Sequence, residues 1–358
     1  MSFSRLWTIA RLELLQRVRT VSWYVLLGIF ALLLVGVTLL AFLSYGGLEQ
    51  TGAGVYSTVV YISLLLVILV SPTISGNSIN GDRDAATLAS VQVTLASTGE
   101  ILFGKFVASW ITGLAFTAVA APFLVVATLA GGVEPATVGV SLAVLIVETG
   151  VIAAIGVALS GIIARPLFSV AATYLVVAAL AVGTVIAFGL VGTAITSEVT
   201  ERSRYAMQGP NGPQCQDGVA TCWDNPEDMV CGEWETYTYR TGRYDQVWWM
   251  LAANPFVILA DATPTQYDTF GNPVDLFGNV KVSVRQAQMS PELERSYDEC
   301  APATEENWPT GQEIVERTVP SWFVGLGVQI VVAGALLGWA YLRTRTPART
   351  LPPGTRIA

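Results

Sequence analysis

Apolar runs separated by short polar breaks fill most of the first 195 residues, and one more returns near the end of the chain. A bilayer core about 30 Å thick is crossed by about 20 residues of helix. Six stretches reach that length: Val21–Leu43, Val55–Ile74, Phe106–Leu129, Thr137–Ile163, Leu167–Ile195 and Pro320–Leu342. Five contain no charged residue, and the fourth contains one, Glu148. Buried helices of soluble proteins rarely stay uncharged over such a length. The pattern therefore predicts an all-α polytopic membrane protein with six transmembrane helices. The first stretch is too long for a signal-peptide core and lacks a small-residue cleavage site, so it reads as a retained span. Pro72 and Pro122 predict kinks in spans two and three. Gly150, Ala154 and Ala158, and Gly334 with Gly338, recur at the four-residue spacing that allows close helix contact.

Ahead of the first span, residues 1–20 carry a second kind of pattern. Phe3, Leu6, Trp7, Ala10, Leu14 and Val18 recur at helical spacing, with Arg5, Thr8, Gln16 and Arg19 roughly opposite. Arg17 falls inside the stripe, and Leu12 and Leu15 fall outside it. A basic amphipathic helix in this position is expected to lie in the membrane surface.

Charge sharpens the picture. Only 13% of the 358 residues are charged, against about 25% in an ordinary soluble domain. With the N-terminus inside, the inner segments hold 11 basic residues and the two short outer loops, Ser44–Gly54 and Gly131–Ala136, hold none. The positive-inside rule then places both termini in the cytoplasm. The long segment 196–318 falls outside and holds 20 acidic and 8 basic residues, a net charge of −12. All four cysteines, Cys215, Cys222, Cys231 and Cys300, lie in it. An even number on the oxidising side suggests two disulfides, with three pairings open; free thiols are the alternative.

Five tryptophans between 223 and 308 make segment 196–318 an ordered mixed domain and not a solvated tail. Within it, Val247–Ala260 is apolar for 14 residues, too short to span, and is either interfacial, re-entrant or domain core. The acidic cluster Asp224–Asp228 breaks the EF-hand pattern at Pro226 and reads as a solvated face.

The chain has no histidine. That excludes Ser-His-Asp and Cys-His catalysis and any His-ligated metal. The cysteine spacings match no zinc pattern, so no metal site is expected. Glu148 is the one intramembrane charge. It reads either as a pathway or helix-interface carboxylate or as a structural hydrogen-bonding group.

The longest inner loop, 76–105, is the most informative. Asp82, Arg83 and Asp84 begin a helix, with the acidic pair favoured at its N-terminus. Leu88, Val91 and Leu95 give that helix an apolar face, leaving Ala86, Thr87 and Gln92 off it, towards a partner. Ser97, Thr98 and Gly99 break the helix, and Glu100 opens the next one, which runs into span three. Residues Gly99 to Lys105 match seven positions of a P-loop. Phe106 stands where Ser or Thr must reach magnesium, and no strand precedes, so nucleotide binding is not expected here.

These features together resemble the permease subunit of an ABC-2 type transporter: an N-terminal helix with arginines, six spans and a short helix between spans two and three. The motif content is Asp84-Ala-Ala-Thr87-Leu88, then Val91 to Leu95, then Ser97, Glu100-Ile101 and Gly104-Lys105. Ala86 replaces the family's usual Gly, and Thr98 stands where Pro is common. The stretch from Trp249 to Asn254-Pro255-Phe256 is similar to actinobacterial-type members, and Arg outnumbers Lys 17 to 2, as in a high-GC genome.

The resemblance implies residues 1–20 as an elbow helix, 21–195 as spans one to five and 196–318 as an extracytoplasmic domain. Residues 319–342 form span six, and 343–358 a cytoplasmic tail. It implies a bacterial plasma-membrane exporter half that is not itself an enzyme. A separate cytoplasmic ATPase would carry ATP and magnesium, so no cofactor is expected on this chain. A second permease chain and membrane lipid are the other implied partners, and nucleic acid is not among them. The ATPase contact would comprise Asp82, Arg83, Asp84, Ala86, Thr87, Leu88, Gln92, Glu100 and Lys105, the last two fixing the start of span three. The rival readings are a secondary transporter, or a scaffold or receptor with a partner-binding outer domain. The apolar spans favour a lipophilic or amphipathic cargo.

Overall fold

The computed structural model describes residues 2–47, 50–84, 97–209, 212–216, 222, 228–301 and 308–345. Helix α1 (Phe3–Val18) leads into α2 (Val21–Tyr45) and α3 (Thr51–Ser75), followed by the short α4 (Asn80–Asp84). Next come α5 (Thr98–Leu129), α6 (Pro135–Ile162) and α7 (Pro166–Ala194), the last with a π turn at Ala179–Gly183. Strands β1 (Thr196–Arg204), β2 (Gln208–Gly209), β3 (Gly212–Pro213) and β4 (Glu235–Gly242) follow. Then come α8 (Pro255–Ala262), α9 (Leu276–Gln286), β5 (Glu294–Asp298), α10 (Gly311–Arg317) and α11 (Trp322–Thr344).

Six of these helices are long and apolar enough to cross a membrane: α2, α3, α5, α6, α7 and α11. Helices α3 and α6 form the interior, with 67% and 72% of their apolar windows buried, whereas α7 buries 11%. So much uncovered apolar surface requires an apolar surrounding. Helix α5 starts eight residues before the apolar run at Phe106. Its extra two turns begin at a capping box, in which Ser97 and Glu100 satisfy each other's backbone N–H.

Two packing faces differ from the sequence reading. On α11, Gly334 and Gly338 point away, with no atom within 4 Å of a Cβ added there. Ala333, Leu337 and Ala340 instead share a core with Ala154 and Ala158 of α6. On α1, the protein-facing side is Leu6, Ile9, Ala10, Glu13 and Arg17, and Phe3, Trp7 and Val18 from the expected stripe are exposed. The polar pair faces inward because it has partners there.

The segment between α7 and α11 has two halves. The first is a three-stranded sheet in the order β4-β1-β5, with β1 antiparallel to β4 and parallel to β5. Strand β1 continues directly from α7. Its companion cluster is small: Ala206, Met229, Cys222 and Cys300. Disulfides Cys215–Cys222 and Cys231–Cys300 staple it, the usual solution where a core is too small to hold alone. Loop-closure entropy predicts about 4 kcal/mol for the pair 69 residues apart and about 2 for the pair 7 apart. Paired serine substitution at Cys231 and Cys300 is therefore expected to speed proteolysis of the sheet more than the same change at Cys215 and Cys222. Equal or reversed sensitivities would contradict that ranking.

The second half packs against the long helices. Ile258, Leu259 and Ala260 of α8 and Phe277 of α9 share one core with Phe30, Tyr56, Tyr61 and Phe116 of the long helices. Tyr61 lies 5.2 Å from the Phe277 ring and 6.1 Å from Phe256. The C-terminal part of the 14-residue apolar run, Phe256 and Ile258–Ala260, is thus part of the bundle core, while Trp249 stays 59% exposed. Asn254 turns it inward: Oδ1 caps α8 through the Phe256 and Val257 N–H groups. Its Nδ2 donates to Ala181 O at the π turn, 2.7 Å, and to Thr184 Oγ1, 2.9 Å. Gly325 of α11 allows the close approach of this loop, since a Cβ there would stand 1.7 Å from Ala252 O.

Candidate functional site

Of the sequence-predicted contact residues, Asp82, Arg83, Glu100 and Lys105 lie at the end of the bundle where α1 packs on α5. Gly104 permits that packing, because a Cβ there would lie 2.9 Å from Ile9 and 3.1 Å from Leu6 O. One residue on, Lys105 is 2% exposed. Its Nζ donates to Glu13 of α1 and, at 2.7 Å, to Asp82 of α4. A single ammonium thus ties three elements together.

Arg17 extends the joint. It donates to Thr112 Oγ1 at 2.8 Å, Ser109 Oγ at 3.3 Å and Ile74 O at 3.4 Å, reaching both α5 and the end of α3. Burial pulls its pKa below the ordinary value, and the neighbouring Glu13 pulls it back. Glu100 also turns inward, accepting from Ser97 N at 2.8 Å and from Ser2 N. Arg83 donates to Asn80 Oδ1 at 3.0 Å and Gly161 O at 3.1 Å. Asn80 reaches Ile163 O at 2.6 Å, and Ser160 Oγ accepts from Ile79 and Asn80 N–H. Helix α4 is therefore anchored to the end of α6.

Lys105 and Glu100, each 2% exposed, lie inside the joint near the start of α5. Asp82 stays partly exposed at 30%. Asp84 ends α4. Ala86, Thr87, Leu88 and Gln92 lie outside the described residues. Glu13, Arg17, Asn80 and Ser160 complete the joint, and sequence reasoning missed them. The one signal was Arg17 breaking the apolar stripe of α1, with Glu13 four residues earlier.

The opposite end holds a second buried network. Asp261 of α8 accepts from Arg285 Nε of α9 at 2.7 Å. It also accepts from Ser321 N at 2.6 Å, Ser321 Oγ at 3.1 Å and Trp322 N at 3.1 Å, which caps α11. Lys281 donates to Thr263 O at 2.6 Å. Burial pushes its pKa down to about 8, against the pull of Asp261. Burial also pushes Asp275, which caps α9 through Gly278 N, up to about 6. The folded state thus favours neutral Lys281, and that contribution is present above pH ~10.4 and lost as pH falls through about 8. Thermal stability is expected to rise from pH 8 to 10 relative to a Lys281→Met variant. An unchanged difference between the two across that range would contradict the assignment.

Among the described residues, no group of three or more His, Cys, Asp or Glu could hold a metal ion. The four cysteines are all paired. Glu148 lies fully buried in α6.

The class defined by this architecture is a helical protein with six helices of membrane-crossing length and a disulfide-bonded segment between the fifth and sixth. No family model matches the chain, and no curated protein matches it.

Proposed function

We propose that this chain is the membrane-spanning permease subunit of an ATP-driven ABC exporter in a bacterial plasma membrane. It would form the translocation pathway with a second permease chain and draw energy from a separate cytoplasmic ATPase. The observation that carries the reading is the Lys105 joint, which ties α1, α4 and α5 into one unit beside the segment whose motifs resemble the ABC-2 coupling loop. A push on that loop would reach α5 through Asp82 and Lys105, and α1 through Glu13. Arg83 and Asn80 would pass it to the end of α6. On this reading both termini are cytoplasmic and the disulfides face the oxidising side. A substrate with apolar surface suits the pathway, since the spans carry one charge only.

The test is substitution of Thr87 and Leu88 by Arg. Transport of a fluorescent amphipathic substrate into inverted vesicles is expected to fall at least tenfold, while ATP hydrolysis persists. Full ATP-driven transport by these variants would refute the docking role of the loop.

A further inference from the structure

Glu148 stands near the middle of α6, roughly 20 Å of helix from Pro135. Neither carboxyl oxygen has a hydrogen-bond partner. Gln329 of α11 is the side chain that interacts with it, and Gln329 Oε1 is also buried without a partner. The Gln329 amide nitrogen is engaged, donating to Ala253 O at 2.8 Å. Two neighbouring side chains therefore present three buried acceptor oxygens that lack a donor.

Among the described residues, no other ionisable group reaches them. On the helices packed against α6, Lys105 is held by Glu13 and Asp82, Glu100 by the α5 cap, and Asp261 by Arg285. Arg343 lies in the last turn of α11. Tyr56 bonds Ser141, Tyr61 bonds Phe256 O, and Tyr174 bonds Leu69 O. Tyr341 lies at the far end of α11, three turns beyond Gln329.

An ionised carboxylate at this position would be a buried charge with neither cation nor donor, the most costly arrangement available to it. A carboxylic acid supplies the missing donor. We infer that Glu148 and Gln329 form a proton-binding site in the centre of the bundle. The carboxyl of Glu148 holds the proton and donates it as a hydrogen bond to Gln329 Oε1. Uptake of one proton converts carboxylate to acid and changes no other bond. A hard metal ion is a poorer occupant, since calcium takes six to eight oxygen ligands and two side chains supply three here. The bound proton connects α6 to α11 and, through Gln329, to the Ala253 carbonyl ahead of α8. The inference does not depend on the transport reading.

Infrared difference spectroscopy of the full chain in nanodiscs at neutral pH tests it. Glu148→Gln keeps the shape and supplies an amide donor, so it is expected to fold. The wild type is expected to show a carboxylic-acid C=O band that is lost in Glu148→Gln and shifts in Gln329→Leu. A difference spectrum with only carboxylate bands would overturn the inference, as would loss of the acid band on adding sodium chloride. As a measurement needing no variant, a hydrophobic carbodiimide, which reacts with protonated buried carboxyls, is expected to label Glu148 in the wild type. Unlabelled Glu148 beside other labelled carboxyls would count against the proton.

Discussion

Replacing Lys105 with Met is expected to destabilise the protein by about 3 kcal/mol, the lower end of the range for breaking a buried ion pair. The substitution removes the ammonium that the Glu13 and Asp82 carboxylates share; Glu13 keeps Arg17 at 3.9 Å, and the two carboxylates, 18% and 30% exposed, keep some access to water. The readout is the thermal midpoint and the monodisperse fraction in detergent. The diagnostic comparison is a triple variant, Lys105→Met with Glu13→Gln and Asp82→Asn, which neutralises the three groups of the joint and leaves Arg17 its bonds to Thr112 and Ser109. It is expected to recover most of the loss, because a neutral set of similar volume is often as stable as a buried ion pair. If Lys105→Met alone were as stable as wild type, the three-way joint would not hold α1 and α4 to α5.

Asp261→Ala is expected to cost as much or more, about 3–5 kcal/mol. Here both partners are buried, at 0% and 4% exposure for Asp261 and Arg285. One carboxylate meets a guanidinium and caps α11 through Ser321 and Trp322 N–H. The loss should be local as well as global: amide exchange is expected to speed up at residues 321–325 ahead of the rest of α11. Asp261→Asn keeps an acceptor but not the charge and is expected to fall between. Uniform acceleration over the whole helix, or none, would contradict the capping role.

The six long helices were legible because an uncharged apolar run of about 20 residues matches the thickness of a bilayer core. Their ends follow local signals that hydropathy does not weigh: two begin at a proline, Pro135 and Pro166, ahead of the apolar runs at Thr137 and Leu167. The start of α5 was partly legible, because Ser97 and Glu100 spell a capping box. What hydropathy did not reveal is that the next two turns pack on α1 and not in an apolar medium.

The inward face of α1 was hidden for the same reason. Periodicity counts Glu13 and Arg17 as polar and therefore outward, but Lys105 supplies the partner of Glu13, and Ser109 and Thr112 supply those of Arg17, 92 to 95 residues further along the chain. Similarly, Val247–Ala260 announced that it wanted burial without saying where. Its place depends on Asn254 meeting Ala181 and on Gly325 leaving room for Ala252, contacts between segments about 70 residues apart. The cysteine pairing was open among three choices, since spacing does not choose between partners.

The most direct test of the transport proposal is purification of the tagged chain from its own membranes, followed by ATP hydrolysis in nanodiscs. A stoichiometric ATPase partner with a Walker A motif is the predicted result, with hydrolysis that is lost when the Walker A lysine of that partner is replaced. A chain that purifies with no ATPase, and whose function persists when the cell is depleted of ATP, would contradict the proposal.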